Sequence, residues 1–458
     1  MQTECNGETA SFHAFGRRTV EGRFDAGRTS SDGGVLLLRE TALRTGLFAR
    51  AAGCFKDHRS PLRVEFSVGE LVAQRILGIA CGYEDLVDHD ALRDDAVFAL
   101  SVGRGDLLGE KRQSDRDRGH GLAGKSTLNR LELTPSDATR EARYKKVVYD
   151  APAFERLFVD HFLDAHDTAP ESIVLDLDAT DDPLHGQQEG RFFHGYYGNY
   201  CYLPLYIFCG DFLLVAKLRK ADRDGADGAL EEVTRVVEQI RARWPSVEII
   251  LRADSGFTRE PLMAFCEANK RVHFVFGLAK NARLNGRISG VMREATAAHK
   301  ASNQSERRFK ELRYRTEKSW SRMRRVVAKA ERLTGKENPR FVVTSLPVTR
   351  FDARALYEDF YCARGDMENR IKEQQLGLFA DRTSCHSMRA NQLRLWLSSL
   401  AYVLMNDLRR IGLAKTELAK AQVSTIRTKL LKLATVISVS VRRVVLSFSS
   451  VFPYKEVF

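Results

Sequence analysis

Three stretches of the chain carry side chains that could do chemistry together. The first is Leu175-Asp-Leu-Asp-Ala-Thr180, where Asp176 and Asp178 stand two residues apart inside an apolar run. Side chains alternate along a β-strand, so both carboxylates point to one face. Two carboxylates at the end of a buried strand are costly unless a cation pairs with them, and a divalent metal is the natural partner. The competing use is local: one of them caps the turn at Asp181-Asp182-Pro183. The second stretch is Leu251-Arg-Ala-Asp254-Ser-Gly-Phe257. Asp254 falls where a strand ends, and ligand sites of open α/β sheets lie beyond the carboxyl ends of strands; it could equally cap the next helix. The third is Tyr361-Cys-Ala-Arg364-Gly-Asp-Met-Glu368-Asn-Arg-Ile-Lys372-Glu-Gln-Gln375. At about 3.6 residues per turn, Tyr361, Arg364, Glu368, Lys372 and Gln375 form one polar helix stripe. Such a stripe is usually a solvated ion-pair face, but Met367, Ile371 and Leu378 offer a separate apolar side for packing.

The elements that must position these stretches follow from periodicity. Residues 173–178 are an apolar, β-branched run, which predicts a buried strand. Residues 200–208 and 212–218 read as two more strands around a turn at Gly210-Asp211. An amphipathic helix over 230–243 ends at Trp244-Pro245, followed by a strand over 247–252, a helix over 260–269 and a strand over 272–278. Strand, strand, strand, helix, strand, helix, strand is the order of a ribonuclease-H-like mixed sheet, antiparallel first and parallel afterwards. Upstream, residues 30–165 look mainly helical, with an exposed, highly charged loop over 101–124 and a break at Thr168-Ala-Pro170. Downstream, the helical rhythm stops over 279–347, where 309–316, 324–330 and 341–344 look like strands of an inserted β subdomain. Helices resume over 352–378, 387–411 and 418–433. The expected divisions are 1–168, 169–278, 279–350, 351–412 and 413–458, the last a helical tail.

Composition narrows the partners. The 458 residues carry 72 Lys and Arg against 60 Asp and Glu, a net charge of +12, with a pI near 9.3. That surplus suits an acidic partner, of which DNA is the commonest large one. The eight cysteines include no Cys-x-x-Cys pair, which argues against a structural zinc site. Cys201 and Cys209 read as small core residues. Residues 1–18 lack a hydrophobic signal core, and no apolar run is long enough to span a membrane; a reducing cytoplasm is the expected setting.

The Asp-x-Thr after the first strand, the Asp-Ser-Gly after the fourth and the Tyr-(2)-Arg-(3)-Glu spacing resemble bacterial insertion-sequence transposases of the DDE class. The nearest likeness is to the IS-1380 group, in residues 173–195 with His185-Gly-Gln-Gln-Glu189, in 252–257 and 361–372, and more faintly in 71–90 and 427–454. The resemblance implies Asp178, Asp254 and Glu368 as the catalytic, metal-binding triad, with Asp176 in support. It implies two Mg²⁺ ions, with Mn²⁺ able to substitute. It implies that Tyr361 and Arg364 contact DNA phosphates near the cut, and that the helical N-terminal part binds transposon ends. The related signature ends in Lys seven residues after its Glu; here Gln375 stands there, with Lys372 one turn earlier. The implied partners are the terminal repeats and target DNA as duplexes, and a second copy of the chain in a homodimer on DNA, in a bacterial cytoplasm at the nucleoid. Such chemistry suits three separated carboxylates, because two metals about 3.5–4 Å apart can activate one oxygen at phosphorus and stabilise another. It needs no covalent protein nucleophile, and no Ser-His or Cys-His arrangement is evident.

Cations cluster around Trp320, with Arg324 and Arg325 close behind, as a DNA-binding surface on which Trp320 either stacks on a displaced base or simply packs the subdomain. Gly119-His-Gly-Leu-Ala-Gly124-Lys125-Ser126 fits a phosphate-loop pattern but follows a charged segment rather than a buried strand. Residues 174–180 also resemble the first motif of haloacid-dehalogenase-type phosphohydrolases, with Asp176 as a covalent nucleophile. That reading leaves the Tyr361 to Gln375 stripe without a role. A DNA-binding protein with dead chemistry is the third reading, and it would not keep all three carboxylates.

Overall fold

The protein's structure is a computed structural model that describes residues 9–458 and the backbone of Cys5–Asn6. The Cys5 side chain and residues 1–4, 7 and 8 of the polar N-terminal segment lie outside the described residues. The chain forms two compact units, one of residues 150–399 and one of 1–149 together with 400–458.

In the first unit, α1 (Ala151–Asp164) precedes β1 (Ser172–Ala179), β2 (Leu205–Cys209) and β3 (Phe212–Lys217). Then come α2 (Ala229–Arg243), β4 (Glu248–Ala253), α3 (Glu260–Ala268) and β5 (Val272–Leu278). Gly210 takes φ +56° to turn β2 into β3. β2 runs antiparallel to β1 and β3, whereas β4 is parallel to β1 and β5. The strand order β3-β2-β1-β4-β5 is the expected ribonuclease-H-like mixed sheet. Alternation sorts its faces. Leu175, Leu177, Ile249, Leu251, Phe274 and Phe276 are buried with Val233, Val236 and Ile240 of α2 and Met263 of α3. The opposite face carries Ile250 and Val275 under Leu356 and Tyr357. Asp176, Asp178 and Arg252 share this second face by the same period of two.

The expected inserted subdomain is instead a continuation of the sheet. α4 (Ser289–Ser302) is followed by β6 (Glu306–Tyr314), β7 (Arg324–Leu333) and β8 (Arg340–Thr344), which extend the edge in the order β5-β8-β7-β6. β5 leaves an unpaired edge, and β8 satisfies its backbone groups as an antiparallel neighbour. Two helices lie within 279–347, Ala282–Arg287 and α4, and the longer gives no helical stripe because only its Met292 and Ala295 are buried. The expected single strand over 200–208 is two, Asn199–Tyr202 and β2, since Pro204 has no N–H to continue a ladder.

The boundary also lies earlier than 168. α1 packs on the core sheet, with Phe162 edge-on to Phe212 and Trp244 at 5.3 and 5.4 Å. In the second unit, helices such as Val68–Cys81 occupy the N-terminal part as expected, the latter held by a Ser67/Glu70 capping box. The C-terminal tail is not helical throughout. After Val423–Ile426 and a wider turn over Arg427–Leu431, Thr435–Val439 and Val444–Phe448 form a hairpin that pairs with Thr29–Ser30. The β-branched run Thr435-Val-Ile-Ser-Val439 favours that outcome. The phosphate-loop look-alike is a helix start, Lys125–Glu132, whose first N–H is taken by Asp90 Oδ1 at 2.9 Å while Asp90 Oδ2 lies 3.1 Å from Lys125 Nζ. A carboxylate sits where a phosphate would. No helix among the described residues is long and apolar enough to cross a membrane.

Candidate active site

The parallel register pairs Ala253 with Leu177, so Asp254 leaves β4 level with Asp178 at the carboxyl ends of adjacent strands. Asp254 Oδ1 accepts the Gly256 N–H at 2.8 Å, capping the turn Ser255–Phe257. Its local and functional readings are therefore compatible: one oxygen anchors the loop. Next door on β5, Gly277 admits the Tyr361 hydroxyl. A Cβ there would stand 2.5 Å from the Tyr361 hydroxyl oxygen and 2.9 Å from the Ser255 nitrogen.

The third stretch lies in a helical segment capped by Asp352, whose Oδ1 accepts from Ala355 N at 2.8 Å. Around α5 (Gly365–Lys372) the winding is uneven. Wide π turns cover Leu356–Tyr361 and Glu373–Gly377, with a tight 3₁₀ turn over Cys362–Arg364. These changes of pitch break the uniform stripe expected from regular winding, as π insertions do at many functional sites. Met367 and Ile371 are buried, as their apolar spacing implies. Arg364 Nη1 lies 3.5 Å from Asp178 Oδ2, and Nη2 lies 2.5 Å from Glu368 Oε1. One guanidinium thus bridges the first and third candidate carboxylates. Gln375 turns elsewhere, donating to Asp182 Oδ1 at 3.0 Å and to the Asp181 carbonyl at 3.3 Å. It anchors the loop after β1, while Lys372 is exposed.

Burial pushes the Asp178 carboxyl up to about 7; Arg364 opposes this, and Asp254 and Glu368 add to it. Burial works against the Arg364 charge, yet Asp178, Glu368, Tyr361 and Asp254 together raise its pKa. The Tyr361 hydroxyl is also raised, first by burial and then by Asp254 against the pull of Arg364. These mutual effects mark one electrostatic cluster, short of positive charge.

Asp176 does something else. Both its oxygens accept from Arg252, Nε at 2.6 Å and Nη2 at 2.8 Å, and Arg252 Nη1 donates to the Phe360 carbonyl at 2.6 Å. The pair ties β4 to the helical segment one residue ahead of Tyr361. With 5% exposure and both oxygens engaged, Asp176 has no opening as the nucleophile of a phosphohydrolase. The role of Arg252 went unread, although a lone arginine in Ile-Ile-Leu-Arg-Ala is itself a signal: a buried charge demands a partner.

Three expected DNA contacts are corrected. Trp320 is buried at 7% exposure, edge-on to Tyr314 at 5.8 Å, and cannot receive a base. Arg324 is buried between Glu260 and Glu267, which take its nitrogens at 2.6 and 2.7 Å. Arg325 is buried on Glu311 and the Leu346 and Phe351 carbonyls. These cations neutralise acids within the fold, which a count of charges along the chain does not reveal.

A family model described as transposase DDE domain, group 1, matches residues 12–458. The chain belongs to this DDE transposase family. No curated protein matches the sequence. Among solved structures, the piggyBac transposase synaptic complex with hairpin DNA is similar at 10% identity and a TM-score of 0.41, over 87% of this chain and 80% of that one. In this DDE-family chain the hard oxygen donors of Asp178, Asp254 and Glu368 suit Mg²⁺, and the raised pKa of Asp178 marks a place where added cationic charge is favourable. Among the described residues no three acidic, His or Cys side chains already converge as a ligand cage. The Arg364 guanidinium stands as the cation between Asp178 and Glu368.

Proposed function

We propose that the chain is a transposase that cuts transposon ends and joins them to target DNA, with Asp178, Asp254 and Glu368 as its metal-holding catalytic residues. The observation that carries the reading is the level register of Asp254 with Asp178, together with the Arg364 bridge from Asp178 to Glu368. A pair of Mg²⁺ ions, or Mn²⁺ in their place, would activate the attacking oxygen at phosphorus and stabilise the leaving one. Asp254 keeps one oxygen on its own loop and offers the other. Arg364, held between Asp178 and Glu368, carries the planar fork that would suit a DNA phosphate once a metal charge took its place beside those carboxylates. Tyr361, wedged at Gly277, fixes the start of this helical segment beside Asp254, and exposed Lys372 meets the backbone one turn beyond Glu368.

The reading extends to an IS-1380-type element in a bacterial cytoplasm, to duplex DNA bearing the terminal repeats bound through the N-terminal helices, and to a homodimer on DNA. It is tested by cleavage of end-bearing DNA with Mg²⁺. Asp178→Ala, Asp254→Ala and Glu368→Ala should each lower cleavage at least about a hundredfold while binding persists. Full cleavage by any of the three removes that residue from the site.

A further inference from the structure

Between β1 and β2 the chain makes an excursion that the carboxylate chemistry does not use. Arg191-Phe-Phe-His-Gly-Tyr-Tyr-Gly-Asn-Tyr200 folds into a hairpin of Phe192–His194 against Asn199–Tyr202. Large aromatics rarely crowd an exposed hairpin without a partner, yet Tyr196 at the tip is 85% exposed, and Phe192, Phe193 and Tyr200 are 48%, 50% and 44% exposed. Tyr200 lies directly across from Phe193, their rings edge-on at 5.5 Å, and the Arg191 guanidinium covers the Tyr200 ring at 4.5 Å.

The finger is braced. At its base Tyr202 hydroxyl donates to the Glu189 carbonyl, Glu189 N–H to the His386 carbonyl at 2.8 Å, and Gln188 Nε2 to the Thr383 carbonyl at 3.2 Å. On its inner side Tyr197 packs on Cys201, Leu203 and Ala221, its hydroxyl donates to the carbonyl of Ala179, the last residue of β1, at 3.5 Å, and it feels the charges of Asp181 and Asp178. The exposed rings therefore stand on a rigid stalk rooted beside Asp178, the first candidate carboxylate.

We infer that this aromatic finger is a stacking site for unpaired bases of the DNA strand whose phosphate lies at the carboxylates. Every base has a π face, so such stacking tolerates any sequence, and Arg191 adds a cation beside the rings for a flanking phosphate. A fully paired duplex offers the rings no free base face except at its ends. The inference rests on the proposed transposase reading and adds to it a grip on strand ends that have come apart.

The test uses the full chain with Ca²⁺ and two oligonucleotides of one sequence, one fully paired and one forked, each with 2-aminopurine at the fork position. Phe193→Ala with Tyr200→Ala, and separately Tyr196→Ala, should weaken binding of the forked DNA by roughly tenfold or more per lost stack and abolish the 2-aminopurine quench. Binding of the paired DNA should be unchanged, and Tyr196→Trp should restore the forked affinity. Wild-type affinity and quench in both alanine variants overturns the inference, as does an equal loss on paired and forked DNA. Cleavage by Asp178→Ala is scored separately: its loss alongside unchanged quench in the finger variants sinks this inference and leaves the carboxylate reading standing.

Discussion

A single carboxyl group has a measurable signature here. Asp178 is raised to about 7 by burial and by its acidic neighbours, against an ordinary value near 4 in the unfolded chain. Between those pH values the folded chain holds a proton that the unfolded chain has released. The associated stability is complete below about pH 4 and is lost as pH rises through 7, at a slope of up to about 1.4 kcal/mol per pH unit. Urea unfolding of the metal-free protein at pH 5 and pH 8 should show this fall, and Asp178→Asn should flatten it. Saturating Mg²⁺ should flatten it too, since metal charge favours the ionised form. Spacing alone offered Asp178 beside Asp176, left Asp254 balanced between a strand-end site and a cap, and put Glu368 on an ordinary polar stripe; it is the resemblance to DDE transposases that implies the three together. Spacing could not tell Asp178 from Asp176, which share a face. What separates them is a cross-strand neighbour, Arg252 on β4, and only the register of β4 against β1 sets that arginine beside Asp176.

Among elements, the tether from β4 to the helical segment matters most. Arg252→Met leaves Asp176 buried without its partner, and breaking such a pair costs roughly 3–5 kcal/mol. It also frees the Phe360 carbonyl and with it the start of the segment bearing Tyr361, Arg364 and Glu368. The expected outcome is a lower urea midpoint and lost cleavage, with the double variant Arg252→Met, Asp176→Leu recovering much of the stability and none of the cleavage. Recovery of cleavage would show that the tether positions nothing. The five core strands could be read because their apolar alternation and turn residues agree with the final pairing. The π and 3₁₀ turns around α5 could not, because their residues meet distant partners, Tyr357 and Tyr361 at β5 and Gly277, Gln374 at Ser399 and Gln375 at Asp182, which no local propensity specifies. α4 escaped notice for lack of an apolar stripe. The basic strands β6 and β7 were read as a separate subdomain because nothing local specifies that β8 pairs with β5.

For the molecule as a whole, the net charge of +12 does not say which cations are free for a partner. Many cations, Arg324 and Arg325 among them, are consumed by internal acids. Nor did any local pattern reveal that the two chain termini build one unit. There Gly33 N–H donates to the Leu433 carbonyl at 2.9 Å, and Arg427 Nε donates to the Ala80 carbonyl at 2.8 Å. Lys432 Nζ lies 2.7 Å from buried Asp32. A Cβ on Gly34 would stand 1.9 Å from the Leu430 carbonyl oxygen, a backbone atom that cannot swing aside. Gly34→Ala should therefore cost at least about 1–3 kcal/mol. Hydrogen exchange should show the loss of protection in 29–102 and 423–439, with β1, β4 and β5 unaffected.

That closure between distant parts of the polymer bears on how the protein is made. Residues 29–34 leave the ribosome long before their partners at 427–439 have been translated, so the unit they share stays unfinished through most of synthesis, while the sheet of residues 150–399 has all of its strands early. A nascent chain would thus carry its three acidic residues on the formed sheet and its helix α5 while the terminal unit still lacked its C-terminal segment, and residues 400–458 would be required before both units coexist.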